Sequence, residues 1–108
     1  MRYLLMALLV MFMFQFSAAG DFKYVGVKKC KTCHKSKKKG DQYGVWMKGP
    51  HVTAFETLKN EESQKIAAKM GIKDATKDAK CLKCHVTGYE APAEMKMATL
   101  TLEEGVSC

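Results

Sequence analysis

The chain has 108 residues, two prolines, eight glycines, 47% apolar residues and a formal net charge of +7. That length allows one small domain, and the composition excludes a disordered or collagen-like chain. The opening residues differ from the rest. Met1-Arg2-Tyr3 supplies one basic residue, and Leu4 to Phe16 is an apolar run broken only by Gln15. A run this short does not span a bilayer, and Ser17-Ala18-Ala19-Gly20 offers small residues to a signal peptidase. Residues 1–20 are therefore expected to be an export signal and residues 21–108 the mature domain. No cysteine follows the cleavage region directly, so neither a transmembrane nor a lipid anchor is expected. Arg2 is the only charged residue before Asp21, which leaves the mature part at +6 with all five cysteines and all three histidines. Its large apolar residues are few, and a core that thin calls for a covalent or metal staple.

Cys30-Lys31-Thr32-Cys33-His34 and Cys81-Leu82-Lys83-Cys84-His85 are two complete C-x-x-C-H motifs. Thiols three positions apart project from one side of a helical turn. They can add to the two vinyl groups on one edge of a haem, and the next residue then lies under the iron as its proximal imidazole ligand. Three other chemistries use paired cysteines. Disulfide-redox pairs need a βαβ setting that this sequence lacks, and they do not need a histidine in both copies. A zinc ribbon would draw four thiolates from the pairs, but 47 residues separate them and the histidines would be coincidental. A disulfide framework is poorly served by an odd cysteine count and a three-residue spacing. The pattern predicts haem c at Cys30, Cys33 and His34, and again at Cys81, Cys84 and His85.

Around the first motif, Lys28, Lys29, Lys31, Lys35, Lys37, Lys38 and Lys39 place seven positive charges in twelve residues. They form either a solvated face or a docking patch for an acidic redox partner or an anionic membrane surface. Export and haem argue against nucleic acid. The stretch from Trp46 to Leu58 reads as a helix with Pro50 in its first turn, where a missing N–H costs nothing. His51, Phe55 and Leu58 then share one apolar face, with Lys48, Glu56 and Lys59 towards water. That makes His51 a candidate distal iron ligand. A further helix is expected from an Asn60 cap through Glu61 and Glu62 to a Gly71 stop, with Ile66 and Met70 packed together. Asp74, Lys77, Asp78 and Lys80 make a polar connector to the second motif. Thr99-Leu100-Thr101-Leu102 alternates like a short strand or is an extended approach to Cys108.

Two six-coordinate haems need four axial ligands, and the chain offers His34, His85 and His51. The fourth is a methionine (Met47 or Met70), an open site, or a residue outside this chain; the last is favoured. Cys108 is either a free or intermolecular thiol or the first cysteine of a third C-x-x-C-H. The second reading accounts for the missing ligand, the odd cysteine and the thin core together.

Tyr24-Val25-Gly26 before the first motif, Trp46-x-x-x-Pro50-His51-x-x-Ala54-Phe55, Cys81-x-x-Cys84-His85-Val86-Thr87-Gly88 and Glu104-Gly105-Val106-Ser107-Cys108 resemble the multihaem c-type cytochromes. The closest group is the family of the tetrahaem cytochrome that accepts electrons from hydroxylamine oxidoreductase. The resemblance covers essentially the whole mature chain. It implies that His51 is a distal ligand, and that Gly-Val-Ser-Cys leads into another haem motif in a protein of usually four haems. A fragment of a longer protein is therefore expected, with Cys108 opening the third site. The fold is expected to be mostly α with extensive loops, little or no β-sheet, and a core made partly of porphyrin. The function expected is single-electron transfer by an exported respiratory cytochrome of a Gram-negative bacterium, periplasmic or at the cell surface. Its partners would be other cytochromes or a quinol-linked donor. The alternative is a reductase whose open-coordination haem acts on a small nitrogen or sulfur oxyanion.

Overall fold

The computed structural model describes residues 21–108; the expected export signal lies outside them. Among the described residues five short α-helices are joined by turns: α1 Val27–His34, α2 Gln42–Lys48, α3 Ala54–Thr57, α4 Glu61–Lys69 and α5 Ala79–His85. Single 3-10 turns occupy Lys37–Lys39, Pro50–Thr53, Ala93–Met95 and Leu102–Glu104. Among the described residues no strand forms; one parallel bridge joins Tyr24 to Lys96. The mostly helical, loop-rich architecture agrees with the sequence. No helix of the described residues is long and apolar enough to cross a membrane.

Three of the helix starts have a local cause. Asp41 accepts the Gly44 N–H at the head of α2, Asn60 accepts that of Ser63 at the head of α4, and Asp78 accepts that of Lys80 at the head of α5. These side chains satisfy amides that have no partner inside the first helical turn. Helix α4 runs to Gly71 (φ 71°), as the sequence predicts. The expected helix from Trp46 to Leu58 is instead divided. Trp46 and Met47 lie in the last turn of α2, which ends at Lys48; Gly49 is extended (ψ 169°), and Pro50 opens a 3-10 turn before α3. The residue before proline is pushed out of the α region, so a helix cannot run through Gly49-Pro50. The tighter 3-10 winding also turns His51 off the stripe of Phe55 and Leu58. These two are buried, whereas His51 is exposed.

The main core is one cluster: Phe55, Leu58, Ala67, Ile72, Ala75, Leu82 and Val86, with Cys81 and Tyr89 packed on it. It joins α3, α4 and α5, so it sits directly under the second cysteine motif. On α1 only Val27 is buried. Ile66 and Met70 share a face of α4 but remain 53% and 54% exposed, outside this core.

The segment from Gly105 to Cys108 binds the pieces together. Its Val106 N–H donates to His51 O (3.0 Å), and Trp46 Nε1–H donates to Val106 O (2.7 Å). Thr87 N–H donates to Gly105 O (3.1 Å), while Ser107 N–H donates to Thr87 Oγ1 (2.7 Å). Gly26 N–H donates to Cys108 O (3.3 Å). Thr99 to Leu102 forms no strand; Thr99 instead donates its hydroxyl to Val25 O (2.6 Å). Gly105 has φ 66°, and a β-carbon there would lie 2.5 Å from His51 O. Gly105→Ala therefore meets both strain and a backbone clash, and is expected to cost about 2–3 kcal/mol. Urea denaturation should show a midpoint lowered accordingly.

Candidate haem sites

The first motif lies on α1. Cys30 and His34 line an open cavity of about 460 Å³ whose other walls include Tyr43, Trp46, His51 and Cys108. The Tyr43 and Trp46 rings stand 6.0 Å apart at 34° and give it an aromatic side. Cys33 is exposed at its edge of the helix. His34 Nδ1 lies 3.2 Å from Gln42 Oε1, while Gln42 Nε2 donates to Lys39 O (2.8 Å). That second bond fixes which end of the amide faces the imidazole. A carboxamide oxygen only accepts, so Nδ1 is the donor, and in the neutral imidazole Nε2 then holds the lone pair.

The second motif lies on α5 and is better supported. Cys81, Cys84 and His85 line a cavity of about 380 Å³ together with Leu58, Ile66, Ala67 and Met70. This accounts for the exposure of Ile66 and Met70: they form a wall of the site. His85 Nδ1 lies 2.7 Å from the carbonyl oxygen of Ala54, on α3. A carbonyl also only accepts, so His85 too is protonated at Nδ1 with Nε2 free. The two histidines thus reach one tautomer through unrelated partners. Fixing a metal-binding imidazole through its other nitrogen sets its orientation and raises its basicity.

Both cavities fall in the size range of small-molecule and cofactor sites and have largely apolar walls. The first brings Cys30 together with His34, with Cys33 exposed one turn along the same helix, and the second brings Cys81 and Cys84 together with His85, so the residues present fit haem c. The two motifs meet separate cavities rather than one tetrahedral centre. Among the described residues no three His, Cys, Asp or Glu side chains converge on a bare metal ion.

The structure brings His51 and Cys108 into the first cavity, beside Cys30 and His34. Burial pushes the Cys30 thiol up to about 11, and its hydrogen bond and charge interaction with Cys108, with a smaller push from Glu104, act in the same direction. Such a thiol stays protonated at neutral pH. Sequence reasoning missed Gln42 and Ala54 as the residues that orient the histidines. Ala54 acts through its backbone, which leaves no signature in residue type.

A family model described as cytochrome c554 and c-prime matches residues 29–108. The chain belongs to that family. It is therefore a c-type cytochrome, and the family implies covalently bound haem c. Cytochrome c-554 of Nitrosomonas europaea is 37% identical over 76 residues, which is 68% of this chain and 30% of that protein. The chain thus spans about a third of that relative's length. No solved structure matches significantly.

Proposed function

We propose that this cytochrome relays single electrons in the respiratory chain of a Gram-negative bacterium, in the periplasm or at the outer cell surface. Haem c is carried on Cys30 and Cys33 with His34 as proximal ligand, and on Cys81 and Cys84 with His85. Cys108 is the first thiol of a third site, and His51 is a distal ligand. One observation carries the reading: both motif histidines are held by an oxygen at Nδ1, at 3.2 and 2.7 Å, with Nε2 free. Haem bound at such sites supplies one-electron redox chemistry. The chain's own part is to hold each imidazole at a fixed angle, shield one side with Trp46 or Met70, and leave an edge open to partners.

Partners are other cytochromes or a quinol-linked donor. Lys28, Lys29, Lys31, Lys35, Lys37, Lys38 and Lys39 are all exposed on and after the helix that carries the first site. A positive surface there steers an acidic partner to the edge of that site, and salt weakens the encounter. The test is spectroelectrochemical titration of the purified protein alongside its intact mass. At least two covalent haems of low potential are expected. Potentials well above that of the standard hydrogen electrode at every haem would overturn the relay reading.

The second cavity supports another reading. No imidazole besides His85 lines it, and Met70 brings the one thioether. A haem open on that side could bind and reduce a small nitrogen or sulfur oxyanion. High-spin signals that shift on adding cyanide or nitric oxide would favour this reductase. Uniformly low-spin spectra would leave the carrier alone.

A further inference from the structure

Helix α1 begins without a cap of its own. Its N-cap is Gly26, which offers no side chain, and its first turn holds no acidic residue. The missing partner comes from 77 positions away: Val27 N–H donates to Glu104 Oε2 at 2.9 Å. Ser107 Oγ lies 3.2 Å from the same oxygen and donates to it. The fit is close, since a β-carbon on Gly26 would stand 3.0 Å from that carboxylate and 2.6 Å from Thr99 O. Glu104 is half-buried, whereas Lys28 and Lys31 on the same helix are exposed. The ion pairs among the described residues join Lys23 to Asp21, Lys59 to Glu56, Lys65 to Glu61 and Lys77 to Asp74; none involves Glu104. In a lysine-rich neighbourhood this carboxylate is committed to a helix amide instead.

We infer that Glu104 is a positioning residue of the first haem site, which fixes α1 and sets a negative charge beside the Cys30 edge so that the oxidised haem is favoured. The inference rests on the haem reading above and deepens it. A carboxylate at a helix N-terminus complements the backbone dipole as well as the orphan amide. One turn further along the same helix stands Cys30. A negative charge at that range, partly screened from water, stabilises ferric over ferrous iron and lowers the reduction potential. Glu104 also belongs to the turn Leu102–Glu104 that leads into the segment ending at Cys108. One side chain thus ties the first motif to Cys108.

Charge and position can be separated by two variants of the haem-loaded, full-length protein. Glu104→Gln keeps an oxygen that accepts the Val27 amide but loses the charge. It should leave hydrogen exchange at Val27 as slow as in the parent while raising the first haem's reduced-to-oxidised ratio at fixed potential. The expected rise is up to about tenfold, equivalent to about 59 mV for one electron. Glu104→Ala should raise that ratio similarly and also speed exchange at Val27 and Lys28. An unchanged potential in the glutamine variant overturns the charge role. Unchanged exchange at Val27 in the alanine variant overturns the positioning role. Should the parent itself carry no haem on Cys30 and Cys33, the haem reading fails and takes this inference with it.

Discussion

Replacing both Cys81 and Cys84 with serine is expected to remove one covalent haem and most of the folded population. The same pair of changes at Cys30 and Cys33 should remove a haem yet leave α3, α4 and α5 assembled. The asymmetry follows from where the core sits. Cys81 packs on the cluster that joins those helices, and Leu82, inside the motif, is one of its members. An apolar cavity of about 380 Å³ borders the same cluster at Leu58, Ala67 and Ala75, and Ile66 and Met70 complete its wall. Without the porphyrin, that wall is left facing water. On α1 itself only Val27 is buried, so fewer contacts depend on what fills the cavity. Cofactor binding to a small domain is folding free energy, so its loss is felt most where the core depends on it. Intact mass would count the haems, and limited proteolysis would report the folded fraction. Equal protease sensitivity of the two double variants would refute the asymmetry.

The second large effect is expected at Leu82 itself. It is 2% exposed and reaches the core from between the two cysteines of the second motif. Leu82→Ala removes three buried carbons and leaves a cavity, at a cost of about 3 kcal/mol. A domain of this size has a total stability on the order of 5–10 kcal/mol, so such a loss is a large share of it. The variant should retain haem attachment, because both thiols and His85 remain, but should unfold at a much lower urea concentration. A midpoint within error of the parent would mean that the porphyrin, rather than Leu82, closes this part of the core.

The two C-x-x-C-H motifs were legible because their thiols and imidazole lie next to one another in the chain, and α1 and α5 each carry one motif whole. Helix α4 was equally legible, since Asn60 and Gly71 mark its ends by local rules. The break at Gly49-Pro50 was not read correctly. Apolar periodicity continues across it from Trp46 to Leu58, and a single 3-10 turn leaves no distinct pattern in residue type. His51 was found as a candidate, but its placement on the cavity wall rather than the buried stripe depends on that turn. The Gln42 and Ala54 contacts were invisible for another reason. One depends on which end of an amide faces the ring, the other on a backbone carbonyl brought in from 31 positions away. Glu104 reads in sequence as one of two ordinary surface acids; only folding brings it to Val27.

The stitching of residues 105–108 to Gly26, Trp46, His51 and Thr87 also imposes a timetable. A polypeptide emerges from its N-terminus, so Cys30 and Cys33 are available well before Val106 exists to close against Trp46 and His51. The contacts that complete the first cavity join residues some 55 to 80 positions apart, and such loops close late. In that interval α1 is open on the side that Val106 and Cys108 will later cover. Cys30 faces that side, while Cys33 stays exposed at its own edge of the helix. Once the closing segment docks, the same surface becomes the wall of the cavity.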